Sequence, residues 1–301
     1  MTTPRILLTG KDGQVGFELQ RSLAPLGEVV AVGRQECDLT KPGEIRELVA
    51  EVAPAIIVNA AAYTAVDQAE LEPAIAHAIN GTAPGVLGEE ASLIGALVVH
   101  YSTDYVFDGT KNGAYTEDDP PNPQSIYGRS KLAGEKALLA SGANCLIFRT
   151  SWVFGAHGSN FAITILRLAA EREVLRVVSD QYGAPTSAAL LADVSAQIIS
   201  LYKVAGREGR AHFPYGLYHL AAGGVTNWHA YAQAVVRAAQ SAGRPLRIQP
   251  EAIVPVPSSA YPLPAPRPAN SRLDSRRLKT SFGLRLPPWG DGLRHVLAQL
   301  L

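Results

Sequence analysis

The chain has 301 residues, 47% of them apolar, enough to bury a large core as one α/β domain or as one domain with a smaller second one. Lys plus Arg and Asp plus Glu number 27 each, so no charge excess invites nucleic acid or an anionic membrane. No apolar run approaches the roughly 18 residues of a membrane span. Two cysteines, Cys37 and Cys145, form neither a disulfide framework nor a metal-ligand spacing, and the N-terminus enters an Ile-Leu-Leu run with no signal-peptide cleavage region. A cytoplasmic protein is the expectation.

Arg5 to Thr9 reads as a short buried strand. It runs into Gly10-Lys11-Asp12-Gly13-Gln14-Val15-Gly16 and then an amphipathic stretch from Phe17 to Leu26. Glycines at a strand-to-helix turn let the backbone approach a pyrophosphate whose charge the helix N-terminus faces, so Gly10, Gly13 and Gly16 predict dinucleotide binding. The second strand, Glu28 to Val32, ends in Gly33-Arg34 where an NAD site would carry an acid. Arg34 can pair with a 2′-phosphate, which favours NADPH over NADH. Asp38 and Leu39 are placed to flank an adenine. Thr40 is a candidate cap for a helix to Val52, and Ala55 to Asn59 is a third strand followed by the small residues Ala60 to Ala62, then Tyr63 and Thr64. Helical stretches near Glu70 to Asn80 and Pro84 to Leu93 precede a fourth strand, Ala96 to Tyr101.

Ser102-Thr103-Asp104 sits where that strand stops, and a proline-stiffened approach leads to Tyr127-Gly128-Arg129-Ser130-Lys131. A Tyr and a Lys four apart share one helix face. A free phenol has a pKa of about 10. A positive charge about 4 Å away, at an effective dielectric of about 20, is worth roughly 4 kcal/mol, or about three pKa units. The spacing therefore predicts that Lys131 makes Tyr127 a usable acid, with Thr103 holding a carbonyl oxygen against it. Tyr-x-x-x-Lys alone also occurs where the Tyr packs and the Lys is solvated; the glycine turn upstream gives it weight here. Asn144 to Thr150 is the next strand, ending at Trp152. Strands and helices alternate throughout, the pattern of a Rossmann-like doubly wound parallel sheet.

Past Trp152 the pattern weakens. Helices are expected from Asn160 to Arg172, from Ala188 to Leu201 (returning over the first half), after Asn227 and over Leu293 to Leu301; strands over Leu175 to Ser179 and Leu217 to Leu220; and a loop from Gly206 to Gly216. Residues 1–151, with the returning helix near 188–201, form the expected dinucleotide-binding domain, and 152–301 mostly a smaller α/β substrate-binding region. Pro255 to Pro268 is too rich in proline for regular helix or central strand. The adjacent Arg267 makes it an expected loop over a substrate diphosphate. The seven histidines show no ligand spacing, and no metal site is expected from them.

The glycine turn, Thr103 and Tyr127-x-x-x-Lys131 resemble the extended short-chain dehydrogenase/reductases. His100-Tyr-Ser-Thr-Asp-Tyr-Val-Phe-Asp-Gly109, Arg149-Thr-Ser-Trp-Val-Phe154, Asp180-Gln-Tyr-Gly-Ala-Pro-Thr186 and Arg267-Pro-Ala-Asn-Ser-Arg-Leu273 are similar to the dTDP-4-dehydrorhamnose reductase family over nearly the whole chain. The resemblance implies NAD(P)H-dependent reduction of the C4 ketone of dTDP-4-dehydro-L-rhamnose. It implies Tyr127 as proton donor, Lys131 on the nicotinamide ribose, and Thr103, Asp104 and Trp152 on the sugar nucleotide. Gly13, Gln14, Val15, Gly33, Asp38, Leu39, Ala62, Tyr63, Thr64 and Tyr101 are the implied cofactor contacts. Some family members are dimers bridged by Mg2+ between carboxylates. Here only the isolated Asp193 and Asp291 offer themselves, so monomer and homodimer both stay open.

Two other readings share the scaffold. Epimerases and dehydratases of this superfamily are one; a dehydratase would carry Glu where Tyr105 follows Asp104. A non-catalytic regulatory subunit is the other, against which the intact Thr103, Tyr127 and Lys131 speak.

Overall fold

The computed structural model describes residues 3–301. Its first half winds strand and helix in turn: β1 (Arg5–Thr9), α1 (Gln14–Leu23), β2 (Glu28–Val32), α2 (Pro42–Val52), β3 (Ile56–Asn59), the short α3 (Val66–Ala69) and α4 (Pro73–His77), α5 (Ala83–Ile94), β4 (Leu97–Thr103), α6 (Ile126–Ala140) and β5 (Cys145–Thr150). β1, β3, β4 and β5 carry continuous apolar runs because both faces of the sheet are covered. Helix ends follow backbone chemistry: Ser125 caps α6 by accepting from Gly128 N at 3.1 Å, and Gly95 closes α5 at φ 69°. Thr40 is not the cap expected for α2. That helix begins at Pro42, and Thr40 instead binds the Asp38 carboxylate through its N–H and hydroxyl.

The second half adds β6 (Val153–Phe154), α7 (Phe161–Glu171), β7 (Leu175–Val178), β8 (Tyr182–Gly183), β9 (Thr186–Ser187), α8 (Ala188–Val204), α9 (Gly206–Ala211), β10 (Gly216–His219), β11 (Thr226–Asn227), α10 (Trp228–Ser241), β12 (Ile253–Val256), α11 (Arg276–Phe282) and α12 (Trp289–Leu300). The main sheet is parallel, in the order β10-β5-β4-β3-β1-β2. Its sixth strand, β10, comes from beyond residue 151, so the first domain expected from sequence omits an edge strand that pairs Leu217 with Ile147. α8 does return over the sheet: Leu191, Val194 and Ile198 join Leu19, Leu23 and Leu8 in one core. The opposite face is closed by Ile45, Val49, Val86 and Leu87 over Leu7, Ile57 and Val98. Where a polar loop was expected, 206–211 forms the helical turn α9. Pro255 does lie in a strand, β12, but one confined to a separate two-stranded ribbon with β7. α7, α10 and α12 bury Ile165, Tyr231, Val235 and Val296 in a third core. Among the described residues no helix is long and apolar enough to cross a membrane.

Candidate active site

The carboxyl ends of the parallel strands open into a cavity of about 660 Å³, the place where doubly wound sheets bind ligands. Gly10, Gly13, Gln14 and Val15 form its floor. Gly10 has φ +78°, and a Cβ there would meet the Ala61 backbone at 2.6 Å. Gly16 lies behind the turn rather than in the wall; a Cβ on it would stand 2.0 Å from Gly10 O, so it allows α1 to approach the loop. No side chain caps α1, which leaves its first-turn N–H groups directed at the cavity. These open donors and the Cβ-free turn fit a pyrophosphate.

Gly33, Arg34, Asp38 and Leu39 line the far end. Asp38 is held below the usual carboxylate range by the Thr40 N–H and hydroxyl. Sequence reasoning passed over Glu36, which accepts from Gly33 N at 2.7 Å and from Lys11 Nζ at 2.5 Å and so shapes this end. It looks like a surface charge until the fold brings the glycine turn beside it. Ala62, Tyr63 and Thr64 form a third wall. Asn80, also unforeseen, pins it: Asn80 Oδ1 accepts from Tyr63 N at 2.8 Å, and Nδ2 donates to Tyr63 O and Ser130 Oγ, each at 3.0 Å. Asn80 sits in a single π-helical turn, 78–82, a local distortion with no clear sequence signal.

Tyr101, Thr103, Asp104, Tyr127, Lys131 and Trp152 meet at the centre. Thr103 Oγ1 donates to Asp104 Oδ1 at 3.1 Å. Asp104 is buried and its Oδ2 has no partner; burial raises its carboxyl to about 6. Among the described residues no hydrogen bond joins Lys131 to Tyr127. Lys131 Nζ donates to Tyr101 O at 2.6 Å and lies 3.3 Å from His100 Nε2. Burial pushes the Tyr127 phenol up to about 12, opposed by hydrogen bonding from Thr103 and reinforced by the Asp104 charge. Their shared helix face brings both side chains to one cavity, and a strand carbonyl and an imidazole hold the ammonium there. Burial also lowers Lys131 to about 8.

Trp152 adopts φ +51°, in the left-handed region that favours glycine. Its indole stacks on Trp228 at 3.7 Å over Gly183, where a Cβ would meet the ring at 2.8 Å. Arg267 departs from expectation. It does not line the cavity; its guanidinium donates to Asp67 Oδ2 at 2.6 Å and to Ala265 O at 2.9 Å, tying the proline-rich loop to α3. Behind β4, Arg149 binds Glu135 through Nε at 2.8 Å and Nη2 at 2.6 Å, both groups being 3% exposed at the side chain. Ser102 also donates to that carboxylate.

Asp193 is taken by Arg21 and Ser22, Asp291 by Arg294, and among the described residues no group of three His, Cys, Asp or Glu side chains could hold a metal.

The RmlD substrate binding domain family matches residues 4–301. The chain is 50% identical to the dTDP-4-dehydrorhamnose reductase of Burkholderia thailandensis, over 98% of this chain and 100% of that one. It is 49% identical to the enzyme of the same name from Salmonella typhimurium, over 98% and 97%. Among solved structures it is similar to dTDP-4-dehydrorhamnose reductase from Bacillus anthracis in complex with NADP, at TM-score 0.87 and 33% identity over 99% and 100% of the two chains. The Clostridium acetobutylicum protein of that name gives TM-score 0.89 at 33% identity, over 98% and 99%.

Proposed function

The chain belongs to the dTDP-4-dehydrorhamnose reductase family, and from that premise we propose that it reduces the C4 ketone of dTDP-4-dehydro-L-rhamnose with a nicotinamide cofactor, NADPH in preference to NADH. One observation carries the reading: Thr103, Tyr127 and Lys131 share a single cavity with the glycine turn and the open end of α1. The nicotinamide, when bound, supplies the hydride that the ketone carbon accepts.

The protein's own part is to hold and to protonate. With substrate bound, the Thr103 hydroxyl turns from Asp104 to the ketone oxygen, beside the hydroxyl of Tyr127. With its pKa near 12 the phenol keeps its proton at neutral pH, and an alkoxide, being a much stronger base than a phenolate, draws it off. Thr103 then hydrogen-bonds the phenolate. Lys131, held on Tyr101 O, is placed to bind ribose hydroxyls and to set the local potential. The unpartnered Oδ2 of Asp104 suits a sugar hydroxyl donor, and the exposed part of the Trp152 ring suits a base or sugar face. Arg34 supplies the charge for a 2′-phosphate.

Steady-state oxidation of NADPH and NADH by dTDP-4-dehydro-L-rhamnose tests this, with Tyr127→Phe alongside. Turnover should fall by about 10²- to 10⁴-fold in the variant. Ketone-independent oxidation would overturn the reductase reading, and an unchanged kcat in the variant would remove Tyr127 from its role; binding without turnover in the parent chain would favour the non-catalytic reading.

A further inference from the structure

Thr9, Asn59 and His100 occupy matched register positions on three adjacent strands, β1, β3 and β4. All three are buried, and each directly follows a run of Leu, Ile or Val in its strand. Thr9 Oγ1 donates to Asn59 Oδ1 at 2.7 Å, Asn59 Nδ2 lies 3.1 Å from His100 Nδ1, and His100 Nε2 lies 3.3 Å from Lys131 Nζ. A polar row across an apolar sheet is costly unless every member is paired, and three apolar side chains would fill the same places without that demand. Thr9 reaches the cavity wall at one end and Lys131 at the other.

The row can carry either polarity. An amide's oxygen and nitrogen occupy equivalent places, so turning the Asn59 amide over keeps both contacts and reverses them. With the amide nitrogen on Nδ1, a neutral His100 carries its hydrogen on Nε2 and faces an uncharged amine. With the oxygen there, Nδ1–H donates and the Nε2 lone pair accepts from an ammonium. Hydrogen bonds to charged groups are the stronger, so the second polarity dominates whenever Lys131 is protonated.

We propose that Thr9, Asn59 and His100 are positioning residues for Lys131, a hydrogen-bond ladder whose polarity follows and stabilises the ammonium at the cavity wall. The catalytic meaning of this rests on the reductase reading above; the ladder itself does not. Burial holds His100 neutral, well below its usual range, so it serves as a lone-pair donor to the ammonium rather than a competing cation. The other groups around Lys131 are accounted for. On its own helix, Tyr127 precedes it, Glu135 acts on it from one turn on while bound by Arg149 of β5, and Arg129 and Lys136 are exposed. Asp104 follows β4 and faces Tyr127. Asp67, Glu70 and Glu72 of the α3–α4 segment are engaged by Arg267, Ile126 N and Tyr63, and His77 of α4 is exposed. Glu89 and Glu90 of α5 are engaged by Arg46.

The test is a pH titration of the full chain carrying 13Cε-labelled lysine, the Lys131 resonance being identified by its loss in Lys131→Met. The parent midpoint is expected near pH 8. His100→Phe should lower it by about one unit, the difference between a charged and a neutral hydrogen bond. His100→Gln, whose carbonyl can replace Nε2 as acceptor, should restore most of the shift. Thr9→Val removes the far partner and should move the midpoint the same way by less; it decides alone if His100→Phe does not fold. An unmoved midpoint in a folded His100→Phe or Thr9→Val protein overturns the ladder. The basic limb of kcat/KM should follow the resonance. A shifted resonance in a chain that reduces no ketone would retire the reductase reading and leave the ladder standing.

Discussion

Replacing Asp104 by Asn should make the protein more stable, and only above a defined pH. The carboxyl is 3% exposed, with one oxygen on Thr103 and the other without a partner. Burial raises its pKa from 3.8 to about 6. A rise of about two units corresponds to about 3 kcal/mol. The sign follows from the direction: the folded state binds this proton more tightly than the unfolded chain. Stability is therefore full below pH 4 and is lost as the pH rises through 6. Asn keeps the oxygen that Thr103 needs and carries no charge. Its amide NH2 takes the place of the unpartnered oxygen and stays without a partner, at a cost of roughly 1 kcal/mol. The net expectation for Asp104→Asn is about 2 kcal/mol of added stability at pH 8, shrinking to nothing or slightly reversed at pH 4. Urea unfolding of both proteins at matched concentration across this range measures it, since every other titrating group cancels in the difference. A difference that stays flat with pH, or an Asn variant less stable at pH 8, would refute the burial argument. The same variant should raise KM for the sugar nucleotide, because an acceptor for its hydroxyls becomes a donor.

Gly10→Ala adds about 1–2 kcal/mol of left-handed strain and a Cβ 2.6 Å from the Ala61 backbone, so cofactor KM should rise about tenfold or more; an unchanged value would show that the turn yields freely. Glu135→Gln leaves the Arg149 charge buried without its counter-ion and should cost about 3–5 kcal/mol in denaturant unfolding, and a loss under 1 kcal/mol would mean water or a neighbour replaces the carboxylate. Arg34→Ala should raise KM for NADPH by about ten- to a hundredfold and leave NADH unaffected; equal changes for both cofactors would remove the 2′-phosphate contact.

What the sequence determined by itself was whatever depends on neighbours along the chain. Buried strands, the glycine bend at the first strand-to-helix turn, the helix that sets Tyr127 and Lys131 on one face and the strand-end position of Thr103 are all set by local sterics and period. Gly10, Gly13, Arg34, Thr64, Thr103, Tyr127 and Lys131, all singled out along the chain, line one cavity. Tertiary structure decided which partner each polar group took. Lys131 took a strand carbonyl and an imidazole, Arg267 took Asp67 instead of the cavity, and Glu36 took the glycine turn. The edge strand β10 joined the sheet from 65 residues beyond the expected boundary. Such choices are competitions among groups distant in sequence and nearly equal in chemistry, and burial and geometry, which exist only in the folded chain, decide them.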